Sequence, residues 1–80
     1  MMSKLQGSRK VIGLKQSGKA IKEGLASVVF VAVDAERRVT EPIEALCRTY
    51  GTAIEYVDTM RMLGEACGIE VGAAVAVLLK

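Results

Sequence analysis

Apolar residues recur with helical spacing in the first third of the chain. Leu14, Gly18, Ile21 and Leu25 fall at i, i+4, i+7 and i+11, which predicts a helix over residues 15–25 with one apolar stripe. Gly24 is placed to end it in a left-handed cap. Residues 28–33 read VVFVAV, a continuous β-branched run that predicts a central strand covered on both faces. Residues 34–38 (DAERR) read as a solvated connection. Thr40-Glu41-Pro42 then predicts a helix start, with a capping hydroxyl or carboxylate beside a proline in the first turn. Ile43, Leu46, Cys47 and Tyr50 continue its inner face and Gly51 closes it. Residues 54–57 form a short strand. Thr59 caps a third helix with Met60, Leu63 and Cys67 inward and Gly68 as its stop. Residues 75–79 make another buried strand. Alternation of this kind predicts an α/β layered domain with helices on both sheet faces.

Composition narrows the chemistry. Eighty residues predict a single domain spanning residues 1–80. One Phe, two Tyr and no Trp argue against a sheet that stacks bases on several aromatics. The absence of His removes the commonest general base and metal ligand. Cys47 and Cys67 have no histidine partner and match apolar helix positions, so they read as buried structural thiols. Asp34, Glu36, Glu41 and Glu44 match no defined cation loop. These residues predict no enzyme, no metal and no cofactor. Residues 1–10 are polar and basic without an apolar core, so no signal peptide is expected. The longest apolar run, residues 71–79, is too short to span a bilayer. The expectation is a soluble, reduced, cytoplasmic monomer.

Charge is distributed unevenly. Residues 1–22 hold Lys4, Arg9, Lys10, Lys15, Lys19 and Lys22 and no acid, whereas the remainder holds five bases against nine acids. That split predicts one positive pole, the footprint of an anion-binding face. Lys15, Lys19 and Lys22 share a helix stripe about 100° from the apolar one, bordering the buried face. Gln16 lies on the first turn, where free backbone N–H groups favour a phosphate or a purine edge. Ser17 and Gly18 keep the helix slim, which predicts close approach of a nucleic-acid backbone. A second constellation is residues 64–72, where Ile69 and Val71 flank Glu70 between glycines. If extended, this segment puts Glu70 opposite both apolar side chains. It then either covers an unstacked base or simply leads Ile69 and Val71 into the core.

These residues resemble a known family. Gly13-Leu14-Lys15-Gln16-Ser17-Gly18-Lys19 resembles its Gly-x-Asn-Glu-x-x-Lys signature, and Leu63-Gly64-Glu65-Ala66-Cys67-Gly68-Ile69-Glu70-Val71-Gly72 is similar to its Leu-Gly-x-Ala-x-Gly-Ile-Glu-Val stretch. The family is the kink-turn RNA-binding superfamily of ribosomal proteins "seven-Ae" and "thirty-e", most like its small bacterial stand-alone members. The resemblance implies a three-layer α/β/α sandwich around a four-stranded mixed sheet, with residues 11–13 lending the fourth strand. It implies binding of RNA kink-turns, bent internal loops stabilised by tandem sheared G·A pairs, in ribosomal or regulatory RNA. By position, Gly13, Lys15, Gln16, Lys19 and Lys22 belong to the RNA-binding helix, with Lys15, Gln16 and Lys19 meeting the guanines. Ile69, Glu70 and Val71 would cover the flipped-out nucleotide. Lys15, Gln16 and Gly72 stand where other members carry Asn, Glu and often Pro, which makes the guanine-facing turn more positive and its binding more salt-sensitive. The alternative is a protein-interaction module in a ribonucleoprotein, with Ile69 and Val71 as its apolar patch.

Overall fold

The computed structural model describes residues 9–80. Its elements run β1 (Lys10–Ile12), α1 (Leu14–Lys22), β2 (Ala26–Ala32), α2 (Arg37–Tyr50), β3 (Ala53–Val57), α3 (Met60–Cys67) and β4 (Val75–Leu79). The sheet order is β1-β4-β2-β3. β4 pairs antiparallel with β1 and β2, and β2 pairs parallel with β3, so the sheet is mixed.

The unbroken apolar run of β2 follows from its central place. Val28, Phe30 and Ala32 face one layer with Leu63, Ala66 and Cys67 of α3. Val29 and Val31 face the other with Ala20 and Ile21 of α1 and Ile43 and Cys47 of α2. The expected three-layer α/β/α sandwich is therefore present, with α1 and α2 on one sheet face and α3 on the other. Phe30 is fully buried, and removing such a side chain from water contributes about 2 kcal/mol. Cys47 and Cys67 are buried in opposite layers, and burial pushes both thiols above the ordinary range. Among the described residues no helix is long and apolar enough to cross a membrane.

Several boundaries differ from the pattern. α1 is shorter than residues 15–25, and its buried face is Ser17, Gly18, Ala20 and Ile21. Leu14 and Leu25, the ends of the expected stripe, are exposed because the nine-residue helix spans only about 14 Å across the sheet. Gly24 follows the helix at φ 73° and its N–H donates to the Ile21 carbonyl, as its position implied. α2 begins at Arg37, three residues before Thr40, and contains Pro42 in its interior. Thr40 is not a cap but the first residue of the buried stripe Thr40, Ile43, Cys47; its hydroxyl donates back to the Arg37 carbonyl at 3.4 Å. Tyr50, expected inward, is exposed, and its neighbour Gly51 closes the helix at φ 67°. Val33 leaves the strand and is exposed. The fourth strand is Lys10–Ile12; Gly13 is the turn that follows it.

One end of the sheet gathers the starts of all three helices. The Gly13 N–H donates to the Val75 carbonyl at 3.1 Å, Ala32 N–H to Ala74 at 2.9 Å and Val33 N–H to Val57 at 2.8 Å. The Asp34 carboxylate accepts from the Met60 amide at 2.8 Å, bridging the β2–α2 turn to α3. The turn before α1, the turn before α2, the start of α3 and the segment leading into β4 thus share one edge of the molecule.

Candidate nucleic-acid interface

The start of α1 is open. Gly13 adopts φ 100°, a conformation that disfavours any side chain, although a Cβ there would meet no other atom within 4 Å. Its carbonyl accepts from the Ser17 amide at 3.0 Å, which begins the helical ladder. The amides of Leu14, Lys15 and Gln16 are those a helix start leaves without an intrahelical acceptor. No side chain caps them and no acid lies in the first turn. The side chains of Lys15, Gln16 and Lys19 are exposed around this positive helix end. Lys22, also exposed, stands at the far end of α1, about 10 Å along the axis from Lys15. The positive charge of residues 9–22 thus runs along α1, with Arg9 and Lys10 at the opposite end of β1. Lys4 lies outside the described residues.

Ser17 and Gly18 do not face a nucleic acid. Ser17 is buried with its hydroxyl unpaired, and a Cβ on Gly18 would lie 3.6 Å from Cδ1 of Leu46. Their small size lets the sheet and α2 approach, so the expectation of a slim, ligand-facing surface is corrected.

The second constellation is held against α3. Gly68 ends that helix at φ 81°; its amide donates to Glu65 and the Ile69 amide to Gly64, both at 3.0 Å, a Schellman pair. The chain then turns back along the helix to the Met60 carbonyl, which accepts from Ala73 at 3.0 Å. Contact is tight: a Cβ on Gly64 would run into the Val71 carbonyl oxygen and stand 3.0 Å from its carbon, and one on Gly72 would stand 3.1 Å from Met60 Cβ. The backbone bends at Glu70 and Val71 instead of extending. Ile69 therefore packs against the α3-side core, whereas Val71 is 70% exposed and Glu70 is exposed beside it. Of the apolar pair, Val71 is exposed and Ile69 is half-buried, and the segment is bent where strand alternation was expected.

The structure adds residues that the chain pattern did not single out. Val33, 62% exposed, sits at the same sheet edge as Gly13 and residues 73–75. No local signal marks it, because the run VVFVAV does not show where the strand leaves the core. Arg38 and Val39, at the start of α2, face the lysine-bearing side of α1. Asp34 reaches a helix 26 positions away, a role that its polar neighbourhood could not disclose. Arg37–Glu41 at 3.0 Å and Arg38–Glu36 at 3.5 Å are exposed ion pairs and contribute little to stability.

Comparison with known proteins places this arrangement. A family model described as the ribosomal protein L7Ae/L30e/S12e/Gadd45 family matches residues 2–80. An RNA-binding protein of Caldanaerobacter subterraneus subsp. tengcongensis is 44% identical over 68 residues, covering 85% of this chain and 83% of its own. One of Halalkalibacterium halodurans is 45% identical over 75 residues, covering 94% and 92%. The solved structure of the Giardia lamblia 15.5kD RNA binding protein superposes with a TM-score of 0.86 at 25% identity, covering 99% of this chain, which spans 65% of that one. Since that family model matches nearly the whole chain, residues 2–80, the chain belongs to the ribosomal protein L7Ae/L30e/S12e/Gadd45 family.

Proposed function

We propose that the protein is a non-catalytic RNA-binding protein that recognises and stabilises kink-turns carrying tandem sheared G·A pairs, in ribosomal or regulatory RNA. The observation that carries this reading is the uncapped, acid-free start of α1, ringed by exposed Lys15, Gln16 and Lys19 on the sheet edge that residues 73–75 also reach. Relatives at 44% and 45% identity that bear the name RNA-binding protein support it. Lys15 and Lys19 donate to guanine O6 or N7, and Gln16 both donates and accepts at a base edge. Lys22, farther along the helix, meets phosphate. Val71 covers the flipped-out nucleotide with Glu70 beside it, and Ile69 acts from below by anchoring the bend. Binding favours the kinked RNA over its extended form and so shifts that equilibrium.

Titration of a labelled kink-turn RNA at two salt concentrations tests this, against a control whose G·A pairs are replaced by Watson–Crick pairs. A preference for the kink-turn that survives at the higher salt is the expected result. Equal binding to both RNAs, falling together with salt, would reduce the α1 face to a general polyanion surface and overturn the reading.

A further inference from the structure

A cavity of about 450 Å³ lies at the end of the sheet opposite Gly13, between the ends of α1 and α2 and the starts of β2 and β3. The strand beside it is irregular. Ala26 stands opposite Leu79 and Val28 opposite Leu78, so Ser27 is an extra residue in the ladder, a β-bulge. Ala26 packs in the α1–α2 layer and Val28 in the α3 layer, although regular alternation puts residues two apart on one face. The bulge absorbs that change of face and leaves Ser27 exposed at the cavity.

The lining mixes two kinds of polar group. Lys22 and Lys80 are exposed there against one acid, Glu23, and neither lysine has an ion-pair partner among the described residues. Lys80 is rooted by its amide, which donates to the Leu25 carbonyl at 2.9 Å. Ser27 and Tyr50 add exposed hydroxyls that no other described residue engages. α1 and α2 both finish at this cavity, so their carbonyl ends bring partial negative charge to it. In α2 the Cys47 carbonyl takes the amides of both Gly51 and Thr52, and the carbonyls after it are those a helix end leaves open.

A compact anion suits the lysines but is opposed by the carbonyl ends. A ribose–phosphate backbone suits both, because its phosphates meet lysines while its 2′-hydroxyls donate to carbonyls and exchange hydrogen bonds with Ser27 and Tyr50. DNA lacks that donor. Lys22 supplies continuity: it lines this cavity and is also the residue of α1 that the proposed function assigns to phosphate.

We infer that this cavity is a second RNA subsite, holding the ribose–phosphate backbone of a stem that runs on from the kink-turn along α1. The inference rests on the kink-turn reading and adds to it the length of RNA that the protein grips.

The probe is a kink-turn RNA with both stems cut short, beside two longer forms in which one stem or the other gains a full helical turn. One longer form should bind the full chain about tenfold more tightly than the short RNA, with a steeper salt dependence. Lys80→Gln should remove most of that gain and leave the short RNA bound as before. Ser27→Ala should remove a smaller part, as should replacing the 2′-hydroxyls of the added turn by hydrogen. Both substitutions fall on exposed side chains, and a melting temperature held at the native value separates lost contact from lost fold. Equal affinity for short and long forms would overturn the inference. So would a gain left intact by Lys80→Gln or by the 2′-deoxy stem. If the short kink-turn binds no better than its Watson–Crick control, the kink-turn reading itself fails. A short kink-turn that is preferred, with no gain from length, leaves that reading standing and removes only the second subsite.

Discussion

Two helices begin on the same edge of the sheet and are finished in opposite ways. At α3 the Thr59 hydroxyl accepts from the Met62 amide at 3.0 Å and the Asp34 carboxylate from the Met60 amide at 2.8 Å. Donors and dipole are thereby answered from within the protein. At α1 the same positions meet a glycine without a side chain, no acid in the first turn, and a ring of lysine and glutamine. A helix start of this sort forgoes side-chain capping and leaves its donors open. α3 is braced by the segment returning along it, and in the proposed function α1 is the surface that binds.

Closing α1 in the manner of α3 gives the largest expected effect. Lys15→Asp places a carboxylate on the first turn, where it should stabilise the helix by about 0.5 kcal/mol. The same change should cost about 2–3 kcal/mol in kink-turn affinity, near a hundredfold, by removing a guanine donor and repelling phosphate. Opposite movement of melting temperature and RNA affinity checks it; affinity that holds would show that the open start has no part in binding.

Next comes the braced helix. Gly64→Ala drives a methyl into the Val71 carbonyl, and overpacking of this kind outweighs the helix propensity gained. About 2 kcal/mol of destabilisation is expected, a fall of roughly 10 °C in Tm by calorimetry. Unchanged melting would mean that the return segment moves aside freely and braces nothing.

Opening α3 should matter less. Thr59→Ala removes one cap for about 1 kcal/mol and should leave kink-turn binding at the native level once the protein is folded. Chemical denaturation and an RNA titration of the same sample read both halves. The smallest effect has the opposite sign. Gly18→Ala meets only ordinary contact with Leu46 and Ile43 while improving helix propensity, so a gain of up to about 1 kcal/mol is expected in the same denaturation experiment. Two helical glycines one sheet face apart would then answer the same substitution with opposite signs.

Much of this contrast was legible in one dimension where its cause is local. Gly24, Gly51 and Gly68 mark helix ends because a left-handed residue is needed within one turn of the last helical bond. Thr59 reads as a cap because its acceptor and its donor are three residues apart. Lys15, Lys19 and Lys22 declare a shared face through helical spacing alone. Legibility fails where the cause is distant. Pro42 suggested a helix start at Thr40, but α2 begins earlier because Thr40 is needed in the stripe that packs on the sheet. Ser17 and Gly18 look like an invitation to a ligand until α2 and the sheet are seen against them.

The chain's own pattern determined the alternation of helices and strands, a β2 buried on both faces, and the residue types offered at the start of α1. These follow from periodicity, capping and backbone freedom, whose range is a few residues. Tertiary structure alone decided the order β1-β4-β2-β3, the bend that half-buries Ile69 while exposing Val71, and the meeting of α1 with Arg38 and Val39 across one groove. Each of those depends on which surfaces lie together after folding, and packing between residues far apart in the chain leaves no period for a sequence to display.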